Sequence, residues 1–529
     1  MNTCRRDFLK QVGFGVGAGL VCGFPSVLEA RQSKSLPRST PEDQGVSSGS
    51  ILAFLDAVAG SKHEFHSLMV LRHGYVIAEG WWKPYRPESP QMLYSLSKSF
   101  TSTGIGLAVA ESRLSVDDKV LKFFPDEAPD TVSDHLAALR VKDLLSMSVG
   151  HAEDSTGTLW GKDDWVKQFL SLPIKNAPGT AFLYNSGATY MCSAIVQKVT
   201  GQRLIEYLGP RLFGPLGIET MSWEVCPREI NTGGWGLKVP TEALAKFGQL
   251  YLQNGMWNGR QILSPGWVEE ATSFKIQQPS LDLEKARRES DWHQGYCYQF
   301  WRSRHNAYRG DGAFGQYTVV MPEQDAVVVI TNESSNMQGQ MNLIWDHLLP
   351  AMSNRSLSKN RKSSRELKER LASLGLTPVK GQGISTVKSE ISSRIYKVDP
   401  NEQGIETLQW EIGGDKVRFT LRDGRGLHNV DCGLGRWKDG ETSMPGMPPK
   451  LTRGDLGPVS KVAASASWQD SETLEMRWQF YETPHHASVA CRFADSGETV
   501  NVELVDSLAK MGNKQPRWKL KATAQSGKA

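Results

Sequence analysis

The clearest capacity for covalent chemistry in this chain lies in Tyr94-Ser95-Leu96-Ser97-Lys98-Ser99-Phe100, which sets a serine and a lysine three residues apart. At 3.6 residues per turn, positions i and i+3 share a helix face, so the Lys98 amine reaches the Ser95 hydroxyl. A serine hydroxyl is a weak nucleophile at neutral pH, and a lysine whose charge is disfavoured by burial can take its proton. The spacing recurs at Ser356/Lys359, Ser385/Lys388 and Ser507/Lys510, and context separates the copies. Phe100 and Gly104 to Ala110 are small or apolar on nearly every side, the composition of a buried helix. Ser356 lies in a solvated basic run, and Ser385 and Ser507 in strand-like sequence. The structural alternative for Ser95 is a helix that begins with capping serines.

Such a pair still needs a proton donor for the leaving group and an oxyanion hole. Tyr184, in Phe182-Leu183-Tyr184-Asn185-Ser186-Gly187 just before a helical run, is the candidate donor, with a packed tyrosine as the alternative. A second serine pattern, Gly45-Val46-Ser47-Ser48-Gly49, fits a nucleophile elbow in letters only. That turn needs an apolar strand before it, and Leu36 to Gln44 is not one. Ser47 to Ser50 read instead as the cap of an amphipathic helix over Ile51 to Val58.

The elements that must position these residues begin after a targeting segment. Arg5 and Arg6 precede a short apolar, Gly-rich run from Val12 to Phe24, a twin-arginine pattern that predicts a signal peptide over 1–30. The expected protein is bacterial, periplasmic or secreted, with no stable membrane insertion after signal removal. Residues 31–45 read as an extended lead-in. Leu68 to Arg72 and Tyr75 to Ala78 flank His73-Gly74 as a hairpin. Residues 115–230 look mainly helical, and 240–253 form a further amphipathic helix. Gln316 to Met321 and Ala326 to Thr331 make a second hairpin, followed by an apolar helix over Met341 to Leu349. The pattern is an α/β (α+β) fold: an antiparallel sheet flanked by helices, with a helical domain inserted, over 46–353. A basic helical linker spans 354–375. Over 376–529 the hydrophobic period becomes two, as in Val417, Phe419 and Leu421 or Leu474, Met476 and Trp478, which predicts an all-β barrel or sandwich.

Composition excludes some functions. With 61 basic and 57 acidic residues the net charge is only +4, giving no case for nucleic acid. Five cysteines follow the signal region (Cys192, Cys226, Cys297, Cys432 and Cys491), with no C-x-x-C or H-E-x-x-H spacing, so no zinc site or disulfide framework is indicated and one bridge at most. His63, His66, His485 and His486 read as surface residues.

Residues 40–350 resemble the serine β-lactamase-like family. The nearest branch holds class C β-lactamases, D-alanyl-D-alanine carboxypeptidases, family VIII esterases and 6-aminohexanoate-dimer hydrolases. The resemblance rests on Tyr94 to Phe100, Pro178 to Ser186, Val199-Thr200-Gly201, Leu212 to Gly217, Gly233 to Leu237 and Gly312 to Tyr317, in the family's order. It implies Ser95 as the acylated nucleophile, Lys98 as its base, Tyr184 as proton relay, and the amides of Ser95 and Ala313 as oxyanion hole, with no metal or organic cofactor. Two departures stand out. Ser186 replaces the common asparagine of the second motif, as in many dimer-hydrolase-like relatives. Gly310-Asp311-Gly312 occupies the third motif without its lysine or histidine, leaving Arg309 as the adjacent cation. Losing a charge-assisted contact to a substrate carboxylate argues against efficient β-lactamase or carboxypeptidase action. Ser186, Gly310, Asp311 and Gly312 are therefore expected to contact substrate. The C-terminal residues resemble the lipocalin-like domains appended to some members.

The expected function is an exported serine hydrolase of small-molecule esters, amides or short peptides. A D-amino-acid peptidase, penicillin-binding or β-lactamase activity is the alternative within the class. A non-catalytic binding protein on the same fold is the alternative outside it.

Overall fold

The computed structural model describes residues 35–381, 385–451, 457–512 and 514–525, so the twin-arginine segment lies outside the described residues. Helix α1 (Ser48–Ala59) is capped by Ser47, whose hydroxyl accepts the Ser50 N–H at 3.0 Å, the role read for it in place of an elbow. β1 (Glu64–Arg72) and β2 (Tyr75–Trp81) join through His73 and Gly74, both left-handed at φ 50° and 78°, which matches a tight hairpin to the strand twist. The chain then builds α2 (Ser97–Ala110), α3 (Ser186–Thr200) and α4 (Thr241–Leu252). It returns as β3 (Trp301–Arg302), β4 (Tyr308–Gly312), β5 (Gln316–Met321) and β6 (Ala326–Glu333), followed by α5 (Met337–Leu343) and a wider π turn over Ile344–Leu348. The strands form one sheet in the order β2-β1-β6-β5-β4-β3, antiparallel throughout.

Both faces of this sheet are buried, which is why its strands read as nearly unbroken apolar runs. Leu68, Val70, Val328 and Ile330 pack with Phe54, Met341 and Trp345 under the terminal helices. Met69, Leu71, Val327 and Val329 face the other way, onto Leu244 and Phe247 of α4, in a core that continues through α2 and α3. The inserted region is built of shorter pieces than its composition predicts, such as Asp134–Ala138, Val141–Leu145 and Trp165–Leu170. Within it α2 is enclosed: a Cβ on Gly104 would lie 2.5 Å from Leu204, and one on Gly106 2.2 Å from Trp267.

Helix α6 (Arg361–Ala372) carries the basic run. It is not a free linker. Leu367 is buried in the α1 core, and Leu371 and Leu374 pack against Gly80 of β2, where a Cβ would lie 3.1 and 2.6 Å from their methyl groups.

The C-terminal part is a closed barrel. Its strands are β7 (Ile395–Val398), β8 (Ile405–Gly413), β9 (Lys416–Asp423), β10 (Gly426–Leu434), β11 (Lys438–Thr442), β12 (Ser460–Trp468), β13 (Thr473–Gln479), β14 (His486–Ala494), β15 (Thr499–Asp506) and β16 (Trp518–Ala524). The order runs β10-β9-β8-β7-β16-β15-β14-β13-β12, and β10 pairs with β12 in parallel at Gly433↔Ser465 to close the ring. The lumen is filled by aromatic rings in tilted and edge-on contact: Trp410 lies 5.4 Å from Phe419 and 5.1 Å from Phe493. Closure removes the exposed edges that an open sheet would present. All five cysteines after the signal region are free and buried, so the single bridge allowed by the sequence is not formed.

Candidate active site

Ser95 sits in a 3-10 turn, Tyr94–Leu96, that leads straight into α2. The turn is pinned by the Leu93 N–H on the Leu237 carbonyl (3.0 Å) and by the Ser97 hydroxyl, which accepts the Leu237 N–H at 3.1 Å. One turn on, Lys98 is only 1% exposed, and its Nζ lies 3.2 Å from Ser95 Oγ, 2.9 Å from Ser186 Oγ and 2.7 Å from the Gly234 carbonyl. Burial pushes the Lys98 amine down to about 7, against the opposing fields of Asp154 and Asp311. Glycine is required at 234, where a Cβ would sit 2.9 Å from the Ser186 carbonyl oxygen. Ser186 begins α3, whose N-cap Asn185 accepts the Gly187 and Ala188 N–H groups.

Tyr184 stands over this pair. Its ring stacks on Trp301 at 5.6 Å, its centroid lies 4.9 Å from Lys98 Nζ, and its hydroxyl hydrogen-bonds with Ser95. Burial, and then the nearby Asp311, push the phenol well above its ordinary value, so it holds its proton at neutral pH.

Strand β4 closes the other side. A Cβ on Gly312 would lie 2.0 Å from the Leu93 carbonyl oxygen, and one on Gly310 2.7 Å from Ser99 Oγ. The two glycines of the third motif therefore seat the strand against the Ser95 turn and bring Ala313, which follows them, up to it. Asp311 is buried, and its carboxyl is raised by burial against the pull of Arg309, Lys98 and the Trp301 N–H. Arg309, the adjacent cation, is spent: it reaches Asp311 at 2.9 Å and donates to the Asp291 carbonyl at 2.9 Å and to Ser303 at 2.7 Å. It does not replace the missing lysine or histidine of the motif.

Sequence reasoning overlooked Asp154, whose carboxylate accepts the Ser186 N–H at 3.1 Å and whose charge acts on Lys98 and Tyr184. No local pattern marks it. The four histidines that read as surface groups in the sequence are not exposed: His66 and His485 are fully buried, and His63 and His486 half-buried. Burial follows from the junction between sheet and barrel, which covers them. There Glu64, Glu333 and His486 bring ligand atoms within 4.8 Å of one another, but their atoms are engaged: Arg477 lies 2.6 Å from Glu64, and His485 and His486 lie 2.5 and 3.0 Å from Glu333.

The fold thus brings together a serine on the turn before α2, a buried lysine on α2, a tyrosine on the facing loop and a glycine-bearing strand. The chain belongs to the beta-lactamase family, whose pattern matches residues 62–348. It is similar to the 6-aminohexanoate-dimer hydrolase of Paenarthrobacter ureafaciens, at 27% identity over 286 residues, half of this chain and 71% of the relative. A lovastatin esterase of Penicillium rubens matches at 25% over 177 residues, 29% of this chain and 44% of that one. A D-aminopeptidase of Brucella anthropi matches at 28% over 161 residues, 29% of this chain and 30% of that one. Among solved structures, the octameric penicillin-binding protein homologue from Pyrococcus abyssi aligns at TM-score 0.46 and 15% identity, covering 89% of this chain and 99% of that one. This protein is thus a hydrolase with amidase, esterase and peptidase relatives. No helix among the described residues is long and apolar enough to cross a membrane.

Proposed function

We propose that the protein is an exported hydrolase of carboxylic esters and small amides that works through an acyl-enzyme on Ser95. The observation that carries this is the buried Lys98 amine with its three partners. A neutral amine has two hydrogens and one lone pair. With the hydrogens on Ser186 and Gly234, the lone pair is left for the Ser95 proton as the hydroxyl attacks a carbonyl carbon. The carbonyl oxygen becomes an oxyanion received by the Ser95 and Ala313 amides. Tyr184, protonated at neutral pH, passes its hydrogen to the departing alcohol or amine and regains one from the water that releases the acyl group, while the Lys98 ammonium returns its proton to the departing Ser95 oxygen. Residues 46–353 carry this chemistry, and 376–529 form the appended barrel.

The charge around the site supports a substrate class. The Asp154 carboxylate has a field that reaches Lys98, and Arg309 and Asp311 pair with each other, so the net charge beside Lys98 comes from Asp154. A substrate carboxylate beside the scissile bond would be repelled, whereas a neutral acyl group or an ammonium would be accepted. Neutral esters and amine-bearing amides therefore rank above penicillins and carboxypeptidase substrates.

Purified mature protein and its Ser95→Ala variant decide between these. Turnover of a nitrophenyl butyrate and of D-alanine nitroanilide, absent in the variant, together with no penicillin adduct in the intact mass, is the expected result. Equal turnover in the variant would overturn the Ser95 assignment. A stable penicillin adduct would overturn the substrate class and leave the nucleophile standing.

A further inference from the structure

The barrel reaches the catalytic turn through the connection between β13 and β14, residues 480–485. That connection is braced from within: Phe480 N–H bonds the His485 carbonyl (3.1 Å), and Thr483 N–H bonds the Phe480 carbonyl (2.8 Å). Four of its outward hydrogen bonds fall on the ten residues that lead to Ser95. Tyr85 donates its hydroxyl to the Thr483 carbonyl at 2.9 Å, Gln91 its amide to the Tyr481 carbonyl at 2.7 Å, and Met92 its backbone N–H to the Glu482 carbonyl at 3.0 Å. Last comes Tyr94, whose hydroxyl lies 2.5 Å from His485 Nε2.

The His485 ring is fully buried and lies in a cluster of three rings. Its centroid is 5.0 Å from Phe314 and 5.8 Å from Tyr94, and those two are 5.4 Å apart. On its far side His485 Nδ1 meets Glu333 Oε1 at 2.5 Å, at the end of β6, with Ser507 Oγ at 3.3 Å. An ionised carboxylate only accepts, so Nδ1 carries a hydrogen, and in the neutral ring this tautomer leaves Nε2 with a lone pair. The Tyr94 oxygen also bonds the Leu451 backbone, which leaves its hydrogen for that lone pair.

Two backbone angles give this cluster a catalytic meaning. Tyr94 has φ 49° and Phe314 φ 68°, left-handed values that strain a non-glycine residue and persist only where the surroundings impose them. Tyr94 immediately precedes Ser95, and Phe314 immediately follows Ala313. The two strained residues thus adjoin the two amides assigned to the oxyanion hole. We propose that His485, supplied by the barrel, is a positioning residue for acyl transfer: tied to Glu333, it holds Tyr94 and Phe314 in the left-handed conformations that aim the Ser95 and Ala313 amides at one oxygen. This rests on the assignment of Ser95 as nucleophile.

The test uses the full chain with five variants: Tyr94→Phe, His485→Gln, His485→Asn, the double variant Tyr94→Phe/His485→Asn, and Ser95→Ala. A glutamine carries its amide oxygen where Nε2 stood and can still accept from Tyr94; an asparagine reaches only the Nδ1 place. The readouts are kcat and KM for a nitrophenyl ester, with the melting temperature alongside. Expected are losses in kcat of about tenfold or more for Tyr94→Phe and His485→Asn with KM within about twofold, and retention within about threefold for His485→Gln. The double variant should be no worse than His485→Asn, because both changes break one bond. An inactive Ser95→Ala with kcat within about twofold of the parent in Tyr94→Phe overturns the proposal, whether or not the His485 variants fold. Equal losses in the Gln and Asn variants overturn it too, since they would mark His485 as packing alone. An active Ser95→Ala would instead remove the nucleophile assignment beneath it.

Discussion

Two buried polar clusters lie on either side of the turn that carries Ser95, and they treat charge in opposite ways. Around Lys98 the cation is surrounded mainly by neutral oxygens, so burial wins and its amine falls to about 7. Around Glu333 burial would raise the carboxyl, but His485 and His486 outweigh it and hold the group down to about 2. The first cluster holds an amine that titrates near neutral pH; in the second, the Glu333 carboxylate stays ionised through that range. The difference teaches where proton transfer can occur and where rigidity is supplied. A buried amine among neutral oxygens is a reagent, and a carboxylate held by two histidines is a brace.

The largest effect should come from disabling the reagent. Lys98→Met is expected to lower kcat for a nitrophenyl ester by about a thousandfold or more without loss of the fold. The same variant tests the sign of the linkage. The Lys98 amine is depressed in the folded chain relative to its ordinary 10.5, so the unfolded chain binds more protons between about 7 and 10.5. Burying the ammonium therefore destabilises the fold at pH 7 and below, and this loss fades as pH climbs from about 7 to 10.5. Denaturant titrations over that range should show a rise in parent stability that Lys98→Met removes.

Breaking the brace comes next. Glu333→Gln leaves two histidines without their carboxylate and should cost about 3 kcal/mol at pH 7. Because the folded Glu333 carboxyl lies below its ordinary 4.5, its contribution is complete above about 4.5 and lost as pH falls toward 2. The gap between parent and variant should accordingly narrow in unfolding measured at pH 3.

A smaller effect should sharpen the electrostatics of the site. Asp154→Asn keeps the oxygen that accepts the Ser186 N–H and removes the charge. It is expected to raise KM for D-alanine nitroanilide about fivefold and leave the neutral butyrate ester nearly unchanged. Smallest is Ser47→Ala, which loses a helix cap worth about 1 kcal/mol in unfolding and does not alter turnover.

How far the sequence revealed these two clusters follows from the range of the contacts that build them. Ser95 and Lys98 are three residues apart, so helix geometry alone pairs them. The cap at Ser47 and the His73-Gly74 turn are equally local and fall where their residue types predict. The barrel shows in its period-two runs, as in Val417, Phe419 and Leu421. The bond between Tyr94 and His485 spans 391 residues of sequence, and nothing near either residue announces it. His485 and His486, adjacent and polar in the chain, look like surface groups until the sheet and barrel cover them. Asp154 stayed hidden for a related reason: its loop has no periodicity, and only folding sets it beside Ser186. Arg309 shows the converse. Its position beside the third motif invites a substrate-binding role, but strand alternation sets it on the same face as Asp311, which takes its charge.

If the Lys98 amine near neutrality activates Ser95, acylation must follow its titration. The most direct measurement is the rate of fluorophosphonate labelling as a function of pH, with the modified residue located by peptide mapping. The account predicts a single adduct on Ser95 whose rate rises with pH through a midpoint near 7. An adduct on another serine, or a rate that is flat through neutrality and rises only near the ordinary lysine value of 10.5, would contradict it.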